Sequence, residues 1–179
     1  MSIVTEKLKQ GYFQVYTGEG KGKTTASLGL ALRASGRGLP VYIGQFMKGQ
    51  DYGELHALPK LGTITNEQYG DPGWVYKGKV TEAQRALAMD GFKKGREALL
   101  SGRYRIVILD EINMAIWFEL ISLEAVLDIL DHRPTDVELI FTGRRADPAI
   151  IERADLVTEM KEVKHYYTQG VPAREGVEK

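Results

Sequence analysis

Thr17-Gly18-Glu19-Gly20-Lys21-Gly22-Lys23-Thr24-Thr25 alternates glycines with lysines and closes on paired hydroxyls, directly after the apolar run Tyr12-Phe13-Gln14-Val15. Residues without Cβ reach the left-handed conformations that turn successive backbone N–H groups inward, so such a turn between a strand and a helix makes an anion nest. A helix starting near Lys23 adds its positive end, and the lysine adds a mobile full charge suited to phosphate oxygens. The spacing fits the P-loop pattern G-x-x-x-x-G-K-[ST] at Gly22, Lys23 and Thr24. Thr17 stands where that pattern has its first glycine, with Gly18 and Gly20 supplying the flexibility. In this pattern the Thr24 hydroxyl holds Mg²⁺. A second stretch, Ile106-Val107-Ile108-Leu109-Asp110-Glu111, is a buried-strand run ending in two carboxylates, the way a magnesium-shell aspartate is delivered in such proteins. The two stretches imply a nucleoside triphosphate with Mg²⁺, metal ligands Thr24 and Asp110, and a catalytic set of Lys23, Thr24, Asp110 and Glu111. In a hydrolytic relative Glu111 would polarise water, yet nothing in the sequence makes water the nucleophile.

These residues need a scaffold that brings strand ends together. Strand-like runs recur at Tyr12–Tyr16, Val41–Phe46, Arg105–Leu109, Val137–Phe141 and Leu156–Met160, with helical patterns between most of them. The alternation predicts an α/β fold, P-loop NTPase-like, with a mostly parallel central sheet flanked by helices. The first helix runs from Lys23 to Gly36-Arg37-Gly38 with Leu28, Ala31, Leu32 and Ser35 on one face. The second opens at Thr81 with Gln84 three residues on, a capping box, and carries Ala88, Phe92, Gly95 and Leu99 inward. The third starts at Ser122, presents Leu123, Val126, Leu127 and Leu130, and ends before Pro134. A short fourth begins at Asp147-Pro148. Met47 to Val80, rich in glycine and aromatics, reads as functional loops with a possible short strand at Thr63–Asn66.

A chain of 179 residues predicts one domain, residues 1–179, able to bury roughly 70% of its unfolded surface. Residues 1–10 are expected to be a flexible N-terminal segment and 161–179 a C-terminal tail. Lysine plus arginine equals aspartate plus glutamate at 24 each, so no global field argues for nucleic acid or an anionic membrane. The absence of cysteine excludes disulfides, thiolate nucleophiles and cysteine-bound metal, and suits a reducing compartment. With no long apolar run, the expectation is a cytoplasmic protein. His56, His132 and His165 lack metal-ligand spacing.

The nine residues from Thr17 to Thr25 resemble the T-G-N-G-K-G-K-T-T loop of the P-loop-type ATP:corrinoid adenosyltransferases. Gln45-Phe46-Met47-Lys48-Gly49, Leu109-Asp110-Glu111-Ile112-Asn113, Thr142-Gly143-Arg144 and Ala154-Asp155-Leu156-Val157-Thr158-Glu159-Met160 are similar to further segments of that family, in the same order. So are Val163-Lys164-His165 and the closing Gly176-Val177-Glu178. Glu19 replaces the usual asparagine, and Lys161 stands where arginine is frequent.

The resemblance implies transfer of the 5′-deoxyadenosyl group of ATP to Co(I) of a reduced corrinoid, releasing triphosphate. It implies ATP contacts from Gly18, Glu19, Gly20, Lys21, Gly22, Lys23, Thr24 and Thr25, with ATP lying reversed relative to hydrolytic relatives. Lys48 would reach phosphate, corrinoid or solvent, and either Arg144 or Arg145, at the carboxyl edge of a strand, would touch the triphosphate. Trp74 and Tyr76, on Gly73-Trp74-Val75-Tyr76, would form a corrinoid lid, or else pack on the core or at a dimer contact. A homodimer and an external one-electron donor such as a reduced flavodoxin complete the expectation. The rival readings are a P-loop kinase or ATPase, and a carrier module; the D-x-H-x-x-G element of corrinoid carriers is absent.

Overall fold

The computed structural model describes residues 8–73 and 75–179; the expected flexible segment therefore falls largely outside the described residues, as does Trp74. Six strands, β1 (Phe13–Thr17), β2 (Val41–Phe46), β3 (Ile64–Tyr69), β4 (Ile106–Asp110), β5 (Glu138–Thr142) and β6 (Leu156–Glu159), form one sheet in the order β3-β2-β4-β5-β1-β6. Every pairing is parallel, as expected where helices cross between strands. The helices are α1 (Lys23–Ser35), α2 (Gly53–Ala57), α3 (Glu82–Leu100), α4 (Ile112–Trp117), α5 (Leu123–Asp131) and α6 (Pro148–Arg153). None of the described helices is long and apolar enough to cross a membrane.

The period-2 alternation of the strands sorts the core into two layers. Ile106, Ile108, Ile43 and Ile140 face α1, where Ala31 and Ala34 meet them. Val107, Leu109, Leu139 and Phe141 face the opposite layer, where Phe92 and Leu99 of α3 and Val126 and Ile129 of α5 close the larger cluster. The face of α1 differs from the periodic reading: the buried stripe is Lys23, Ser27, Ala31 and Ala34, while Leu32 is 56% exposed. Small side chains let the helix lie close on the sheet, and that proximity outweighs the burial of one leucine.

Local signals explain the boundaries. Thr81 and Gln84 make the reciprocal capping box, Ser122 caps α5 through the Ala125 N–H, and Asp147 caps α6 ahead of Pro148. The 47–80 stretch is more ordered than its composition suggests. It holds α2, a 3-10 turn at Leu58–Leu61 and all of β3. Ile64-Thr65-Asn66-Glu67-Gln68-Tyr69 is polar inside because β3 is an edge strand, bonded only to β2.

Gly91 sits where α3 crosses β3. A Cβ there would lie 2.4 Å from Cγ of Tyr69. Alanine would gain up to about 1 kcal/mol of helix propensity, but overpacking against a ring costs about 1–3 kcal/mol. Gly91→Ala is therefore expected to lower the thermal midpoint by a few degrees, read by calorimetry; a raised midpoint would show that Tyr69 yields freely.

Candidate active site

β1 and β4 are separated by β5, so their carboxyl ends need a bridge. Thr142, the last residue of β5, supplies it: its hydroxyl donates to Oδ1 of Asp110 at 2.6 Å and accepts from the Glu111 N–H at 2.9 Å. The Thr24 hydroxyl, on the first turn of α1, donates to the same Oδ1 at 2.9 Å. The ends of β4 and β5 and a helix N-terminus thus converge on one carboxylate that is 1% exposed. Lys48, just past β2, holds its ammonium 2.8 Å from the other oxygen, Oδ2, and 3.6 Å from Glu54. The contact pairs two full charges. Burial pushes the Lys48 ammonium down, but the Asp110 charge and contact outweigh it and hold its pKa above the usual lysine value.

Lys23 is 6% exposed and donates to the carbonyls of Gly18 and Gly20, each at 2.7 Å. Burial lowers its pKa, with Glu111 opposing the shift and Arg144 adding to it. The loop glycines have unlike tasks. Gly22, with φ +120°, makes the turn into α1. Gly20 makes room for a neighbour: its N–H donates to the Met160 carbonyl at 2.7 Å, and a Cβ there would stand 2.6 Å from that oxygen. The chain leaving β6 is thus clamped along the outside of the loop.

The loop opens into a cleft of about 640 Å³, within the range of small-molecule sites. Lys21, Gly22, Lys23, Thr24 and Thr25 line one end, with Glu111 and Arg144 beside them. Lys48, Glu54 and Tyr52 come from the β2–α2 connection, and His165 with Gly176–Lys179 closes the remaining side. The carboxyl of Glu111 is raised in pKa by burial first and by Asp110 second. Its backbone is left-handed, φ +61°, at the start of α4, a strained conformation for a residue with a Cβ.

Of the residues named from sequence, Lys21, Gly22, Lys23, Thr24, Thr25, Lys48, Glu111 and Arg144 line this cleft. Asp110 lies beneath it, bonded to Thr24. Glu19 is exposed and paired with Arg144 at 3.4 Å, and Gly18 and Gly20 face the Met160–Lys161 backbone. Arg145 turns away, its guanidinium 4.5 Å from the Trp117 ring centroid. Tyr76 is 63% exposed and outside the cleft lining. His56 pairs with Asp51, and His132 with Asp128, while His165 reaches the cleft. Sequence reasoning passed over Thr142, Glu54 and Tyr52. The Thr142-Gly143-Arg144 ending of a strand was the available signal for the first; Glu54 and Tyr52 had none.

A hard cation finds oxygen donors here in the Thr24 hydroxyl and Oδ1 of Asp110, the donor type magnesium takes when phosphates and water complete its shell. Among the described residues no cluster of acidic and histidine side chains offers a metal cage, so the residues fit a cation that arrives with its nucleotide.

A parallel sheet with a glycine-rich loop running into a helix N-terminus, a buried lysine at that junction, and a threonine on the helix's first turn bonded to an aspartate at a strand end define the P-loop nucleotide-binding class. Residues 9–178 match the family model described as ATP:corrinoid adenosyltransferase BtuR/CobO/CobP, and the chain belongs to that family. It is 34% identical over 179 residues to a corrinoid adenosyltransferase of Sinorhizobium sp, covering 98% of this chain and 84% of the relative. It is 35% identical over 171 residues to the corrinoid adenosyltransferase CobA of Salmonella typhimurium and 34% identical over 171 residues to that of Escherichia coli K12. Each alignment covers 95% of this chain and 86% of the relative.

Proposed function

We propose that this single-domain enzyme transfers the 5′-deoxyadenosyl group of ATP to the Co(I) centre of a reduced corrinoid. The bond formed is cobalt–carbon, the bond broken joins C5′ to the triphosphate oxygen, and the electron pair leaves with triphosphate. The observation that carries the reading is the unbroken family match over residues 9–178, which takes in the loop, the Asp110 strand and the segment closing the cleft. Co(I) is a strong nucleophile and needs no base. The protein's work is to orient C5′ and to stabilise the departing charge. Lys23 and the N–H groups at the start of α1 do the second. Magnesium, held by Thr24 and Asp110, would neutralise triphosphate charge.

Arg144 lines the nucleotide cleft, while its neighbour Arg145 lines a second cavity of about 480 Å³ with Lys77 and Trp117. We place the corrinoid toward that side; Trp74, which lies outside the described residues, and Tyr76 precede Lys77 and remain the proposed lid. The same reading includes a homodimer, a cytoplasmic location suited to a cysteine-free chain, and an external one-electron donor such as reduced flavodoxin.

Mixing the protein with Mg·ATP and chemically reduced cobalamin should give a light-sensitive alkylcobalamin and intact tripolyphosphate. ADP or orthophosphate without a cobalt–carbon bond would sink the proposal. Glu111→Gln separates it from hydrolysis: attack by Co(I) needs no base, so adenosyl transfer should stay within about threefold of wild type, whereas loss of a true general base costs about a hundredfold or more.

A further inference from the structure

The segment 174–179 has a bonding pattern that its exposed position does not require. The Glu178 carboxylate accepts from the Arg174 N–H at 2.9 Å, from Arg174 Nε at 3.2 Å and Nη2 at 3.1 Å, and from the Tyr166 hydroxyl. These partners hold its pKa down at about 2, the Arg174 side chain first. From the phosphate loop, Lys21 stands 3.7 Å from Glu178 Oε1 and donates to the Val177 carbonyl at 3.2 Å. At the far end, the Lys179 carbonyl comes within 4.0 Å of the place a Cβ on Gly53 would take. The segment therefore crosses from the loop to the β2–α2 connection, and Gly176 to Lys179 form part of the cleft lining.

The cleft lining is mixed in chemistry. Lys21, Lys23 and the loop backbone offer ammonium and amide groups, while Leu28, Tyr52 and Val177 offer apolar and aromatic surface. With a polyphosphate on the loop, the rest of the nucleotide has that surface to rest on, and a flat base suits such walls.

We propose that Glu178 is a positioning residue for the nucleoside: it locks residues 176–179 as the wall against which the base and ribose rest. This rests on the ATP reading above. Glu178 touches neither the phosphates nor the reacting carbon, and acts through the backbone that it fixes. Ordering that wall before the ligand arrives removes an entropic cost of binding the nucleoside.

The test compares two probes on the full chain by calorimetric titration without corrinoid: Mg·ATP and inorganic tripolyphosphate with Mg²⁺. Glu178→Gln, and independently Arg174→Met, should weaken Mg·ATP about tenfold. Tripolyphosphate should bind unchanged or more tightly, since Lys21 is released from the wall. Equal losses on both probes would mean general disruption and overturn the proposal, as would wild-type Mg·ATP affinity in both variants. A wild-type protein that binds Mg·ATP yet makes no cobalt–carbon bond would defeat the adenosyl-transfer reading alone, leaving the comparison of probes intact. A wild type that binds neither probe would defeat both.

Discussion

Lys23→Met should lower kcat/KM for adenosyl transfer about a thousandfold, with most of the loss in kcat. The direction follows from where charge grows: as C5′ leaves for cobalt, negative charge builds on the bridging oxygen of triphosphate. A preorganised donor facing that position stabilises the transition state more than bound ATP, and removal of one such donor costs about 3–4 kcal/mol. Lys23 is already enclosed, at 6% exposure, and is held at the loop centre by the Gly18 and Gly20 carbonyls. The transition state therefore inherits a desolvated ammonium aimed from a fixed place. Methionine keeps the length and packing of the side chain, so the fold should persist. Arginine should not rescue, because a planar fork does not fit a space shaped for a single ammonium point. Absorbance change on cobalt–carbon bond formation measures the rate; a raised KM with unchanged kcat would show that Lys23 contributes only uniform binding.

The parts of this machinery visible in the sequence are those set by local rules. A glycine-rich turn entering a helix, a β-rich run ending in Asp110, and the caps at Thr81, Ser122 and Asp147 each announce themselves within a few residues. What long-range placement decides was not visible. Nothing near Lys48 says that its ammonium will meet Asp110, 62 positions on, because the contact depends on β2 and β4 being neighbours in the sheet. Gly20 looked like a phosphate ligand because glycine suits a nest; its crowding by Met160 appears only once β6 pairs with β1. The edge strand β3 (Ile64–Tyr69) was legible only in part, as the possible strand at Thr63–Asn66, for a related reason: a strand with one partner has no need of two apolar faces. Helix α4 is short and follows Glu111 without a polar cap, so no terminal signal marked it.

The Lys48–Asp110 pair carries the other large effect, on stability as well as rate. Both groups are enclosed, with side-chain exposures of 13% and 1%, and removing one partner of a buried pair leaves the other charge stranded, at about 3–5 kcal/mol. Asp110→Asn keeps an acceptor for the Thr24 and Thr142 hydroxyls and strands the ammonium, although Glu54 at 3.6 Å softens the loss. A penalty of about 3 kcal/mol is expected, or about 6–12 °C in thermal midpoint for a chain of this length. Lys48→Met removes the stranded charge, so Asp110→Asn with Lys48→Met should recover at least half of that stability, a clearly non-additive result in the double-mutant cycle. Activity should not follow. Without the carboxylate charge the proposed magnesium site keeps only neutral oxygens, so the double variant should stay slow and need far more Mg²⁺ for half-maximal rate. On the proposed function, stability and catalysis part company at a single side chain, whose charge would serve twice: a lysine for the fold and a cation for the nucleotide. Additive denaturation energies in the cycle would show that the pair is not coupled. Rates restored together with stability would show that Asp110 serves the fold alone.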